Sequence, residues 1–193
     1  MNIVCVRRGD KYPSEYVTML RGMVGEIHCL DDEVLQSDWP GWWAKMELFA
    51  PWNRHLRPCL YLDLDTYVLE EIDDLLEYEF EDFWMLRNFN IPERGGSGVM
   101  LIPEDVEHIW RKWIVDPETH MKRHEKRGDQ GFLEQFPFKR LQDRFDGIGS
   151  YKRNKLQDDP KGFRVVCFHG KPKPHETNGW AGEIWTRYRR LPS

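Results

Sequence analysis

Two carboxylates one residue apart, Asp63 and Asp65, follow the apolar run Cys59–Leu62 in "CLYLDLDT". On an extended strand alternate side chains share a face, so the pair would present two negative charges to one point. Carboxylates held that close raise the cost of ionising both. A hard divalent cation removes this cost, and oxygen ligands suit Mn²⁺ or Mg²⁺. The competing reading is a solvated strand end with one Asp capping the next turn. The pair's place argues for chemistry, because ligands of α/β sheets gather outside the carboxyl ends of strands.

Three other segments offer matching groups. "FHGKPKPHE" (168–176) ends a second apolar run. His169 brings an imidazole nitrogen to a metal. Gly170 lets backbone approach an anion, and Lys171 and Lys173 supply positive charge at short range. The alternative is a solvated basic loop. "GDQGFL" (128–133) holds Asp129, a general base toward a hydroxyl, a donor-hydroxyl ligand or a helix N-cap. Its neighbour Gln130 is no strong base and would position a substrate. Lys45, in "WWAKMELF", is a further cation, and on residue type alone it reads as solvated. His108, His120, His124 and His175 have no matched partner and read as surface or packing residues.

The elements that must position these groups alternate along the chain. "NIVCV" (2–6) reads as a buried strand, 14–24 as a helix capped by Ser14, and 25–32 as a short strand and turn. A helix is expected over 42–49, one strand over 57–69, and further strands at 82–88 and 99–102. A helical period runs through 103–116, a short helix follows Asp129, and a closing helix lies in the tail. Strand and helix in alternation predict an α/β fold in one domain, 1–193.

The bulk properties bound the function. A net charge of -5 gives no general affinity for nucleic acid. No apolar run reaches membrane-spanning length. Cysteines 5, 29, 59 and 167 lack metal-site spacing, so free thiols in a reducing, cytoplasmic setting are expected. Nine tryptophans invite ring-stacking substrates such as sugars, against the simpler reading of core packing.

"YLDLDT" resembles the D-x-D segment of GT-A fold glycosyltransferases. "FHGKPKPHE" is similar to the H-x-x-G-x-x-K-P element of their glycogenin-like, retaining members, "GDQGFL" to their D-Q-D segment, and "GGSGVMLI" to their N-S-G-V-L-L strand. "WWAKMELF" is similar to a segment of small bacterial and phage relatives. The matches keep their order from the first strand to about residue 176.

The resemblance implies a Rossmann-like mixed sheet flanked by helices. It also implies a metal-dependent, retaining transferase using a nucleotide-diphosphate sugar, a UDP-sugar, and a glycan, lipid or protein acceptor. Asp63, Asp65 and His169 would hold the metal, with Lys171 and Lys173 near the diphosphate. Asp10 and Tyr12 would hold the base. Asp129 and Gln130 would face donor sugar and acceptor, with Lys45 and Ser97 on the donor.

The chain departs from the pattern at three places. Gly96 stands for the Asn of N-S-G, Gly131 for the second Asp of D-Q-D, and one residue alone separates His169 from Lys171. A non-catalytic nucleotide-sugar-binding domain is the alternative. A haloacid-dehalogenase-type phosphatase is a further one, although Tyr67 stands where that pattern has Thr or Val.

Overall fold

The computed structural model describes residues 1–191. In chain order the strands and α-helices are β1 Asn2–Val6, α1 Glu15–Val24, β2 His28–Leu30, β3 Cys59–Leu62, β4 Thr66–Val68, α2 Asp73–Leu76, β5 Trp84–Arg87, β6 Gly95–Ile102, α3 Glu107–Trp113, α4 Pro117–Arg123, α5 Asp129–Leu133, β7 Lys139–Arg140, β8 Ile148–Ser150, β9 Val165–Cys167 and α6 Gly179–Tyr188. Three-ten helices at Gly41–Phe49 and Pro51–Leu56 fill the approach to β3.

Six strands form one sheet in the order β2-β1-β3-β6-β5-β7. β1 runs parallel to β2 and β3, and β6 runs antiparallel to β3 and β5. A second sheet, β4-β9-β8, stands beside the first. The architecture is the mixed α/β one expected from the sequence.

The apolar runs of β3 and β6 carry no polar alternation because both faces of the sheet are covered. Leu60, Leu62, Val99 and Leu101 enter one core cluster, together with Tyr16 of α1 and Trp185 of α6. Cys59, Tyr61, Met100 and Ile102 enter the other, with Trp43, Trp113 and Phe132. Period-two alternation therefore sorts one strand between two cores. The four cysteines are free.

Several local expectations are corrected. Segment 57–69 is not one strand. A turn closed by Thr66 N–H donating to the Asp63 carbonyl (3.0 Å) divides β3 from β4, which belong to different sheets. The extended geometry assumed for Asp63 and Asp65 is thus replaced by a turn. Residues 42–49 form a three-ten helix, and Trp43 through Phe49 are all buried. An amphipathic α-helix needs one polar face, and this segment has none. Ser14 makes no side-chain cap and is itself helical (φ -57, ψ -24). The glycines of "GGSG" belong to β6, opposite an irregularity of β5 between Met85 and Leu86. β7 and β8 are too short to show a period.

Candidate active site

The split of 57–69 builds the site. β3 delivers Asp63 to the carboxyl edge of the large sheet, where its N–H donates to the Gly98 carbonyl of β6 (2.8 Å). Two residues later the Asp65 carbonyl accepts from Phe168 N–H (2.9 Å), just beyond β9. The turn stitches the ends of the two sheets together. Between them opens a cavity of about 600 Å³, lined by Tyr12, Lys45, Asp63, Asp65, Ser97, Asp129, Gln130, His169, Lys171 and Lys173 among others.

The charges inside are paired closely. Lys45 Nζ lies 2.8 Å from Asp63 Oδ1 and 3.3 Å from Asp129 Oδ2. The second contact is close enough for charge pairing but not aligned as a hydrogen bond, and Oδ2 of Asp129 is left without one. Lys45 also reaches the carbonyl and hydroxyl of Ser97 at 3.4 Å. Tyr61 O–H donates to Asp63 Oδ1 (2.7 Å). Lys173 pairs with Asp65 and donates to the Tyr12 hydroxyl (2.6 Å), and Tyr12 O–H donates to Asp65 (3.0 Å). Three carboxylates, Asp63, Asp65 and Asp129, thus meet two ammonium groups, Lys45 and Lys173. The cluster keeps one negative charge in excess.

Burial raises the Asp65 carboxyl above the usual range, and the Asp63 charge adds to this, against Lys173 and Tyr12. Burial likewise raises Asp129, against Lys45. Burial also works against the Lys45 ammonium, but Asp129 and Asp63 outweigh it and hold the proton on. Lys45 is therefore a cation in a site whose acids are poorly hydrated. His169 is lowered to about 4 by burial, then by the charges of Lys152, Arg153 and Lys173. Its imidazole is neutral at neutral pH, the form that binds metal.

The donor types suit Mn²⁺ or Mg²⁺ with a nitrogen ligand. Asp63, Asp65 and His169 line one cavity, but they are not drawn into a single cluster. Among the described residues no three His, Cys, Asp or Glu groups stand close enough together to hold a metal ion. Lys45 and Lys173 occupy the two carboxylates, and His169 Nε2 lies 2.7 Å from Ser150 Oγ, with Phe89 stacked on its ring at 5.5 Å. The donor types fit the group, and a cation would take the carboxylates from Lys45 and Lys173.

Two candidates sit apart from the others. Asp10 is exposed in the three-ten turn Gly9–Lys11 and does not line the cavity. Lys171 lines the cavity with its side chain 86% exposed, 3.5 Å from Glu176, so Lys173 is the lysine at the acids. Asp129 is no N-cap: Gly128 holds that position and Asp129 opens α5. Tyr61, Phe89 and Ser150 were not singled out from sequence. Tyr61 was legible, since alternation puts it beside Asp63. Ser150 and Phe89 lie 19 and 80 positions from His169, and no local pattern links them.

No family model matches the chain, and no curated protein sequence matches it. Solved structures do. The galactosyltransferase LgtC, in complex with donor and acceptor sugar analogues, aligns over 100% of this chain and 98% of its own, with a TM-score of 0.64 and 14% identity. The fold is the GT-A glycosyltransferase fold. The glycosyltransferase GlyE of Streptococcus pneumoniae TIGR4 aligns over 99% of this chain at a TM-score of 0.60 and 17% identity. The chain spans 60% of the GlyE structure's length. A glycosyltransferase involved in glycosylation of the major capsid of PBCV-1 aligns over 97% of this chain and 99% of its own (TM-score 0.53, 10% identity). Within the GT-A fold the cavity described above lies at the carboxyl end of β3. No helix among the described residues is long and apolar enough to cross a membrane.

Proposed function

We propose that this GT-A chain transfers a sugar from a nucleotide-diphosphate sugar, a UDP-sugar, to a hydroxyl of a glycan, lipid or protein acceptor, with retention at the anomeric carbon. One observation carries the reading: Asp63, Asp65, Asp129, Lys45, Lys173 and His169 converge on one cavity at the junction of the two sheets. Asp63, Asp65 and His169 are the proposed ligands of Mn²⁺ or Mg²⁺. When bound, the cation supplies positive charge against the diphosphate as it leaves.

The chain's own groups do the rest. A diphosphate entering beside Asp65 offers Lys173 a second anionic partner, and Lys171 is free to approach from solvent. Gly170, at φ +74, lets the loop backbone lie close to phosphate. Tyr12 presents its ring on the base side. Lys45 and Ser97 bracket the donor sugar, and Asp129 takes its hydroxyls. Gln130 positions the acceptor and donates no proton. The resemblance of the His169 and Asp129 segments to the glycogenin-like pattern supports retention.

The test is calorimetric titration of UDP into the protein with Mn²⁺ and then with EDTA, on wild type and on Asp65→Asn. Binding that needs both metal and Asp65 is expected, with hydrolysis of UDP-glucose or UDP-galactose in the same buffer. Binding without any turnover would favour the non-catalytic reading. UDP that fails to bind under both conditions removes the UDP-sugar assignment, and GDP and dTDP are then the next ligands to titrate.

A further inference from the structure

Of the nine tryptophans, Trp42 is the one that lines the active-site cavity. It is 47% exposed. The others that are well placed for comparison have rings to pack on: Trp39, Trp43 and Trp52 join Trp110 and Trp113, Trp84 packs with Tyr78, Trp180 with Tyr151, and Trp185 with Tyr16. Among the described residues no aromatic ring stacks on Trp42. A single exposed aromatic is ordinary on a protein surface. An indole held in place on the wall of a cavity that gathers carboxylates and ammonium groups is not.

Trp42 is held by Gly128. A Cβ built on Gly128 would stand 2.5 Å from Trp42 Nε1 and 2.7 Å from Cδ1, so the indole rests on bare backbone. Gly128 has φ +63, a conformation that side chains rarely adopt. The next two residues are Asp129 and Gln130, both lining the cavity. Asp129 is 4% exposed, and its Oδ2 has no hydrogen bond. The exposed side chain of Lys11 reaches the Trp42 ring, its Nζ 5.7 Å from that ring and 5.3 Å from the Tyr12 ring. The cavity thus brings together an apolar plate, a carboxylate that accepts from hydroxyls and an exposed ammonium that donates to them. A pyranose has that complementarity: one face of C–H bonds and an equator of hydroxyls.

We propose that Trp42 is a stacking platform for a pyranose ring in the active-site cavity, with Gly128 as the residue that seats it. The proposal rests on the glycosyltransferase reading for its meaning, but it is tested apart from it. The pyranose is either the acceptor sugar or the sugar of the donor, and the two share the stacking chemistry.

The experiment uses the full chain labelled with 5-fluorotryptophan, the Trp42 resonance being identified by its loss in Trp42→Phe. Fluorine spectra are recorded with Mn²⁺ and UDP, then after addition of the methyl glycosides of glucose, galactose, mannose and N-acetylglucosamine, then with UDP-glucose and UDP-galactose replacing UDP. The Trp42 resonance is expected to move when a pyranose enters. Movement with a free glycoside assigns the ring to the acceptor, and movement with a UDP-sugar alone assigns it to the donor. For any glycoside that binds, Trp42→Ala should weaken binding about tenfold, read from the glycoside's own proton signals, and Trp42→Phe should keep most of it. A Trp42 resonance that moves as far with UDP alone, or that no sugar moves, overturns the proposal. The glycoside series is repeated without nucleotide, so a failure of UDP to bind leaves this result readable.

Discussion

At the residue scale the site is defined by unequal treatment of two neighbouring acids. Asp63 keeps 32% side-chain exposure, while Asp65 is closed in by Tyr12 and Lys173. Replacing Asp65 by Asn removes the charge and frees Lys173, with little change of volume. Metal-dependent binding of UDP should fall below detection by calorimetry, while circular dichroism stays that of wild type. Ser150 makes a subtler prediction. It touches neither metal nor substrate in the proposed site but orients the His169 ring through a 2.7 Å contact. Partners of this kind are worth about 10–100-fold in metal affinity. Ser150→Ala should weaken Mn²⁺ in the presence of UDP by about tenfold, and Ser150→Thr should restore part of it. Equal affinity in Ser150→Ala and wild type would mean that the hydroxyl does not orient the ring.

At the element scale two contacts lock the small sheet and the terminal helix to the body. α1 meets α6 at Gly22, where an added Cβ would stand 2.3 Å from Tyr188 Cδ1 and 2.6 Å from Leu191 Cδ1. Overpacking of that kind costs about 1–3 kcal/mol. Gly22→Ala gains helix propensity and should nonetheless lower stability in urea denaturation. An unchanged midpoint would show that Tyr188 simply swings away.

Arg164, just before β9, pairs with both oxygens of Asp74 in α2 and also donates to the Glu71 and Asp146 carbonyls. The hydrogen bond from Arg164 pulls the Asp74 carboxyl below its ordinary value. A depressed carboxyl stabilises the fold above the unfolded value, about 3.9, and the contribution is lost as pH falls through the folded one. Asp74 keeps 53% side-chain exposure, so solvent screens the pair. Asp74→Asn should therefore cost a few tenths to about 1 kcal/mol at pH 7, and the difference from wild type should close on acidification.

At the scale of the whole molecule, two cores share one sheet. The core beneath Gly41–Phe49 centres on Trp113, fully buried, stacked on Trp43 at 5.2 Å and edge-on to Trp39 and Phe132. Trp113→Ala should cost about 3–5 kcal/mol, as for other large-to-small changes in a core. Trp113→Phe should cost much less than its lost volume suggests, because Nε1 of Trp113 has no hydrogen-bond partner and the change removes a buried donor. Equal losses in the two variants, measured by urea denaturation, would point to a bridging group on that nitrogen. The same core carries Lys45 to the cavity, so Trp113→Ala should also weaken UDP binding while Trp113→Phe spares it.

The amino-acid sequence by itself determined the α/β class, the buried strands β1, β3 and β6 and the segments that meet at the cavity. Each of those signals is local: an apolar run, a glycine, a carboxylate at a strand end. It also made Tyr61 beside Asp63 readable, through simple alternation. Tertiary structure decided the rest. The turn at Asp63–Thr66 breaks a stretch that reads as one strand, because its two halves pair with different partners, β6 and β9. The three-ten form of Gly41–Phe49 follows from burial on every side, which erases the one-sided pattern of a surface helix. Which lysine meets Asp65, that Asp10 stands outside, that Ser150 and Phe89 hold His169, and that Trp42 rests on Gly128 are all contacts between residues far apart in the chain. No spacing rule spans such separations. They exist only once the two sheets have closed on one another.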